Sequence, residues 1–138
     1  DAEVWERVFG RIAQKIEKGK KYLPKAVLEE ESQSAFGIIA CGSSDPAVQE
    51  ARDEIRDHGI RSDYLRIRSI PFGGDVESFL KKHEKIYVVE NNRDGQLAQL
   101  LSVAFPGLAG RLIKIAHMDG LPLSAEWVSR SILPTEEI

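Results

Sequence analysis

Lys85–Leu97 reads KIYVVENNRDGQL. Ile86, Tyr87, Val88 and Val89 form a short apolar run, β-branched and aromatic, as a buried strand requires. The run ends in Glu90, Asn91, Asn92, Arg93, Asp94 and Gly95. A helical apolar pattern then begins at Leu97, Leu100 and Leu101. A buried strand opening through a polar turn into a helix is where α/β proteins place their sites. Backbone N–H groups and the positive end of the helix dipole converge there.

The segments before this stretch repeat the pattern. Phe36–Cys41, FGIIAC, reads as a second buried strand. Gly42, Ser43, Ser44, Asp45 and Pro46 follow it. Ser44 or Asp45 suits the cap of the next helix, and Pro46 its first turn. Ala47, Val48, Ala51 and Ile55 form that helix's core face, with Arg52, Asp53, Glu54, Arg56 and Asp57 assigned to solvent. Gly59 fits a left-handed C-terminal cap. Arg61–Arg68 is a strand with Leu65 and Ile67 on one face and Tyr64, Arg66 and Arg68 on the other. Gly73, Gly74 and Asp75 open a helix with Val76, Phe79, Leu80 and His83 on its inner face.

Later segments complete the set. Phe105, Pro106 and Gly107 break the helix that began at Leu97. Arg111–His117 is the last strand, and Ser124 caps a final helix carrying Trp127, Val128 and Ile132. Ala26–Leu28 fits a short edge strand. Strands alternating with helices predict right-handed crossovers and a mostly parallel sheet covered on both faces, a three-layer α/β/α sandwich.

At the N-terminus, residues 1–19 predict an amphipathic helix. Val4, Val8, Ile12 and Ile16 recur every fourth position, with Trp5, Phe9 and Ala13 beside them. The stripe either packs on the domain's own core or faces another domain or subunit. Lys15, Lys18, Lys20, Lys21 and Lys25 make a basic patch around the helix end, a solvated face that suits the dipole.

The 138 residues suffice for one compact domain, and 42% hydrophobic against 30% charged excludes a disordered chain. A net charge of −3 leaves no basic footprint for nucleic acid. No apolar run is long enough to span a bilayer. One cysteine, Cys41, cannot build a disulfide framework and suits a cytoplasmic setting. The chain begins at Asp1 rather than Met, which is compatible with a piece of something longer.

Motif tests remove several chemistries. The first turn, CGSSDPA, is no dinucleotide G-x-G-x-x-G, and no P-loop is present. His58, His83 and His117 are scattered without metal-ligand spacing. Cys41 and His117 both end strands and form the one conceivable nucleophile–base pair, though nothing in their context demands it. Glu90 and Asp94 suit helix N–H groups and Arg93. Six consecutive polar or glycine residues nevertheless exceed what a cap needs. The turns Gly42, Ser43, Ser44, Asp45 and Glu90, Asn91, Asn92, Arg93, Asp94, Gly95, Gln96 are therefore the candidate ligand or interface sites. No residue is assigned a catalytic or metal-binding role.

The series YLPKAVL, GIIACGSSDPAVQEARDEIRDHGI, DYLRIRSIPF, YVVENNRDGQLAQLL and HMDGLPLSAEWV resembles the C-terminal part of the α subunit of 2-oxoacid:ferredoxin oxidoreductases. It most resembles the 2-oxoglutarate branch. The resemblance runs from about Tyr22 to Ile132. It implies a transketolase C-terminal-like domain over residues 22–138, after an N-terminal helix and linker start over 1–21. It implies a five-stranded sheet in order 1-3-2-4-5 with the first strand antiparallel. The whole enzyme decarboxylates a 2-oxoacid on thiamine diphosphate and magnesium, passes electrons through an iron–sulfur cluster to ferredoxin, and forms an acyl-CoA from coenzyme A. The rest of the α subunit and the β subunit are the implied partners. The thiamine fingerprint G-D-G…N-N is absent, since Asn91-Asn92 has no upstream G-D-G. The expectation is a structural domain, inactive alone and binding no cofactor itself. The competing expectation is a free-standing α/β module that binds a small anion or phosphate at the same turns.

Overall fold

The computed structural model describes residues 1–136. Five strands form one sheet: β1 (Val27–Glu29), β2 (Phe36–Cys41), β3 (Ser62–Ile67), β4 (Ile86–Glu90) and β5 (Leu112–Ala116). Five α-helices accompany them: α1 (Ala2–Gly19), α2 (Asp45–Asp57), α3 (Gly74–Lys82), α4 (Gln96–Ala104) and α5 (Ala125–Glu136). The strand order is β1-β3-β2-β4-β5, with β1 antiparallel to β3 and the other pairings parallel. The order and the antiparallel edge match the sequence expectation. The edge strand begins one residue later than Ala26.

The alternation along each strand divides the core in two. Ile38, Ala40, Tyr64, Tyr87 and Val89 point to one face and meet Val48, Ala51 and Ile55 of α2 and Val128 and Ile132 of α5. Ile39, Leu65, Ile67, Ile86 and Val88 point to the other and meet Val76, Phe79 and Leu80 of α3 and Leu97, Ala98 and Leu101 of α4. A period of two in the strands and of 3.6 in the helices thus produces three layers. Gly37 lies at the closest approach: a Cβ there would stand 2.7 Å from Phe79 Cε1.

Two local expectations are corrected. The sequence predicts Arg52 on the solvent face, yet it is 4% exposed. Its Nη1 donates to Glu29 at 2.6 Å, and its Nη2 donates to the Ser62 carbonyl at 3.0 Å and to Glu31 at 3.2 Å. Its guanidinium lies 5.5 Å from the Tyr64 ring centroid. The α2 spacing explains this: Val48, Arg52 and Ile55 share one stripe, and the stripe's edge overlooks β1. Neither Ser44 nor Asp45 caps α2 through its side chain. The Asp45 carboxylate instead accepts from Tyr64 Oη at 2.9 Å and pairs with Arg66 at 3.1 Å. Burial and then Asp45 push the Tyr64 hydroxyl well above its ordinary range.

At the amino ends of the strands a second polar group is buried. Asp63 is fully buried and accepts from the Glu31 amide at 2.8 Å, Lys82 at 2.7 Å and His83 Nε2 at 2.9 Å. Burial raises the Asp63 carboxyl, but the bonds from Lys82, the Glu31 amide, His83 and Ser34 outweigh it and hold it below the usual range. His83 Nδ1 bonds the Phe79 carbonyl at 3.0 Å, which gives this histidine a structural place.

The helix α1 differs from the rest. It forms as its periodicity requires, with Asp1 as its N-cap, and none of its residues is buried. Packing on the domain's own core is therefore excluded. Trp5 is 63% exposed, Phe9 57%, Ile12 48% and Ile16 54%.

Candidate functional site

The strands β2 and β4 are neighbours, paired from Gly37↔Ile86 to Ala40↔Val89. Their carboxyl ends deliver both predicted turns to one edge of the sheet. The chain order also reverses there, β3 lying on one side of β2 and β4 on the other. Such a point is where an open α/β sheet leaves a crevice.

The turn after β4 is closed by its own side chains. Glu90 is 4% exposed. Its carboxylate accepts from the Leu97 amide at 2.5 Å, the Ala98 amide at 3.0 Å and Asn92 Nδ2 at 2.9 Å. Asn92 Oδ1 accepts from the amides of Gly95 at 2.6 Å, Asp94 at 3.1 Å and Gln96 at 3.4 Å. These groups occupy the α4 N-terminal donors that an anion would need. Gly95 takes φ +69°, ψ +52°, and a Cβ there would meet Lys114 Cδ at 2.1 Å. Asn91 Nδ2 bonds the Leu121 carbonyl at 3.1 Å and ties the turn to the loop after β5. Asn91, Arg93 and Gln96 remain exposed, with Arg93 forked onto Asp94 at 2.7 and 3.1 Å.

The turn after β2 is more open. Gly42 has φ +59° and begins a single 3₁₀ turn, Gly42–Ser44, with Ser44 buried. Cys41 and Gly42 line an open cleft of about 500 Å³ together with Arg66, Ile67, Arg68, Ser69, Ile70 and Leu97. Arg66 is held by Asp45, whereas Arg68 is exposed and has no ion-pair partner among the described residues. Leu97 brings the start of α4 to the cleft's other wall. The turn after β2 and the start of α4 thus flank one crevice, and its lining includes two arginines, Arg66 and Arg68. Their signal was available: an i, i+2 pair at a strand's carboxyl end points both side chains to one side.

The Cys41–His117 pair does not assemble. Strand β4 stands between β2 and β5, so their ends lie roughly 10 Å apart at two strand spacings. His117 stacks on Trp127 with ring centroids 4.5 Å apart, and its Nε2 lies 3.1 Å from Asp119 Oδ2. The Leu121 amide and then His117 hold the Asp119 carboxyl below its usual range. Burial, then the charge of Glu90, push the Cys41 thiol up, the opposite of an activated nucleophile. Among the described residues no three His, Cys, Asp or Glu side chains gather as a metal site.

No protein-family model matches the chain. Over 98 residues it is 37% identical to the α subunit of 2-oxoacid:ferredoxin oxidoreductase 2 of Aeropyrum pernix, covering 70% of this chain and 15% of that relative. The chain therefore spans about 15% of the length of the curated relative it matches. Among solved structures it resembles a 2-oxoglutarate:ferredoxin oxidoreductase from Magnetococcus marinus with 2-oxoglutarate, coenzyme A and succinyl-CoA bound. The TM-score is 0.75 at 21% identity, over 94% of this chain and 23% of that one. The α chain of a probable 2-oxoacid ferredoxin oxidoreductase from Thermoplasma acidophilum gives 0.52 at 20%, over 83% of this chain and 98% of that one. A transketolase from Campylobacter jejuni gives 0.56 at 14%, over 79% and 18%. The sequence relative is an oxidoreductase α subunit, and the structural likenesses show the transketolase C-terminal-like fold.

Proposed function

We propose that the chain is an assembly domain of the α subunit of a 2-oxoacid:ferredoxin oxidoreductase of the 2-oxoglutarate branch. The identity of 37% over 98 residues carries this reading. In it, residues 22–138 are the α/β domain and residues 1–21 the helix and linker start. The whole enzyme oxidatively decarboxylates a 2-oxoacid, conserves the acyl group on coenzyme A and hands two electrons to ferredoxin. Thiamine diphosphate with magnesium and the iron–sulfur cluster do not fit the residues present. The thiamine fingerprint is missing, and one cysteine cannot ligate a cluster. Those groups belong to the rest of the α subunit and to the β subunit, in the cytoplasm.

The strand-end turns are the docking face in this reading. The Glu90–Gln96 turn presents Asn91, Arg93 and Gln96 on a self-satisfied scaffold, the arrangement of an interface rather than of an empty anion cradle. Exposed Ile70, Leu100 and Val103 lie beside the cleft and add apolar area to that face. The Gly42–Asp45 turn borders the cleft itself. The test is reconstitution of a 2-oxoglutarate:ferredoxin oxidoreductase. An α subunit truncated before this domain, with its β subunit, should regain 2-oxoglutarate-dependent ferredoxin reduction when the chain is added. The chain alone should show none. Activity of the isolated chain, or no copurification with either subunit, overturns the reading.

One observation favours a second reading. Arg66 and Arg68 in the cleft suit a phosphate-bearing ligand. Titration of the chain with coenzyme A and with thiamine diphosphate, followed by backbone amide shifts, separates the two. Shifts at Gly42–Asp45 and Arg68 with coenzyme A would make the cleft a ligand site, while silence leaves the docking face.

A further inference from the structure

We infer that α1 is a self-pairing helix and that its apolar face is covered by α1 of a second copy of this chain, running antiparallel. This inference stands on α1 alone and does not depend on the oxidoreductase reading.

The helix spans 18 residues, about 27 Å at 1.5 Å per residue. None of its residues is buried. Its four most exposed large apolar residues are Trp5, Phe9, Ile12 and Ile16. Their spacings of four, three and four fall on one heptad seam. That seam is Ala2, Trp5, Phe9, Ile12, Ile16 and Gly19. Trp5 and Phe9 are already stacked on it, with ring centroids 5.1 Å apart. A prearranged aromatic pair loses little side-chain freedom when it is covered.

The flanks of the seam decide the direction. One flank carries Asp1, Val8 and Lys15; the other carries Glu6, Ala13 and Lys20. In a parallel pair each first-flank residue meets the second-flank residue five positions on. Asp1 would then face Glu6, and Lys15 would face Lys20, so both charged contacts repel. In an antiparallel pair each flank meets itself. Asp1 faces Lys15 and Glu6 faces Lys20, each twice by symmetry, with Val8 on Val8 and Ala13 on Ala13 between them. The seam layers become Trp5 on Ile16 and Phe9 on Ile12, large on large, with Ala2 on Gly19 at the ends. Lys20 continues the helical backbone and pairs with Glu17 at 2.8 Å on its own chain. It stands where the second copy's Glu6 would arrive. Antiparallel dipoles also attract, and the two α/β domains are carried to opposite ends of the pair without crowding.

The area suffices for such a contact. Five apolar side chains between 37% and 63% exposed, Trp5, Val8, Phe9, Ile12 and Ile16, offer roughly 500 Å² per copy. A symmetric pair then removes roughly 1,000 Å² from water, the lower bound for a specific interface. The pairing is accordingly concentration-dependent.

Sedimentation and light scattering of the whole chain over a dilution series test this. The mass should climb from 15.4 kDa towards twice that value. Phe9→Glu, a good helix former at an exposed position, should stay monomeric at every concentration. Glu6→Lys should weaken pairing about tenfold, because symmetry turns two attractive contacts into two repulsive ones. Adding Lys20→Glu to Glu6→Lys should restore it. A wild-type chain monomeric throughout overturns the inference. So does Phe9→Glu with undiminished mass, which would place the contact elsewhere. Tightening by Glu6→Lys would mean a parallel pair, and failure of the double reversal to rescue would remove the charge argument. Each of these outcomes leaves the reconstitution test untouched.

Discussion

Helices α1 and α4 carry similar apolar stripes and meet opposite fates. In α4, Leu97, Ala98 and Leu101 are buried against the sheet. In α1, nothing is buried. The two stripes are alike in period and differ in what the chain places next to them. The helix α4 follows β4 through a turn that Glu90 and Asn92 hold closed, so it folds straight back onto its own strand. The helix α1 precedes a stiff Tyr22-Leu23-Pro24 link and an edge strand of three residues, and no sheet face is left over for it. Amphipathy in a sequence states that a face needs covering. It does not state by what.

The sharpest way to test this contrast is to delete matching side chains on both sides of it. Ile38→Ala, inside β2 and fully buried, should cost about 3 kcal/mol of stability from lost transfer energy and cavity. Ile12→Ala in dilute chain should cost less than about 0.5 kcal/mol, since no contact in the monomer is lost. Urea unfolding at low concentration reads both. Comparable costs would show that α1 packs on its own domain after all.

The closed turn is the next point of attack. Glu90→Ala leaves the buried Leu97 and Ala98 amides without partners and should cost about 2 kcal/mol. Glu90→Gln keeps one acceptor oxygen and should cost about half of that. If Glu90→Ala left stability unchanged, the α4 donors would be readily satisfied by something else, and an anion site there would regain its standing. Glu6→Gln on α1 is the control, with an expected change within about 0.5 kcal/mol in the monomer.

The Asp63 cluster makes the contrast pH-dependent. Its carboxyl is held below the unfolded value, which is about 3.9. Stability from that depression is therefore fully present above pH 4 or so and is lost as pH falls through the folded value. Asp63→Asn should cost about 1–2 kcal/mol near neutrality, from weakened bonds to Lys82 and His83. The gap between wild type and variant should narrow as the pH falls below about 4. A gap constant with pH would mean that shape, not charge, holds the cluster.

Much of this was legible beforehand, and the reason is local. The strand FGIIAC and the run IYVV are continuous apolar stretches ended by polar turns, the helix faces of α2 to α4 each follow one period, and each is covered by a neighbour in sequence. Strand order and the antiparallel edge came with the family resemblance rather than with any pattern in the residues. What escaped was non-local. Arg52 reads as a surface arginine until Glu29 and Glu31, more than 20 positions away, arrive beside it. Asp45 reads as a cap until Tyr64 and Arg66 claim it. The place of Arg66 and Arg68 in the cleft lining is set by where β3 ends relative to the turn after β2. For the candidate turns, the polar run is plain in the sequence, while the geometry decides that Glu90 and Asn92 turn inward and that Arg93 faces out.

Cys41 offers the smallest expected effect and the finest probe of the same edge. The residue is exposed beside the cleft, so a reagent can reach it. Its thiol is nevertheless raised, first by the partial desolvation of its surroundings and then by Glu90. Alkylation by iodoacetamide at neutral pH should accordingly run slower than for a free cysteine, because less thiolate is present. Glu90→Gln removes the second cause and leaves the first, so the rate should rise but stay below that of free cysteine. A larger rise would make the charge of Glu90, not burial, the dominant cause. A wild-type rate above that of free cysteine would show the arginines of the cleft stabilising an anion at that position. That result would carry the ligand reading of the Gly42 turn over the docking reading, because a crevice that favours a thiolate also favours a phosphate.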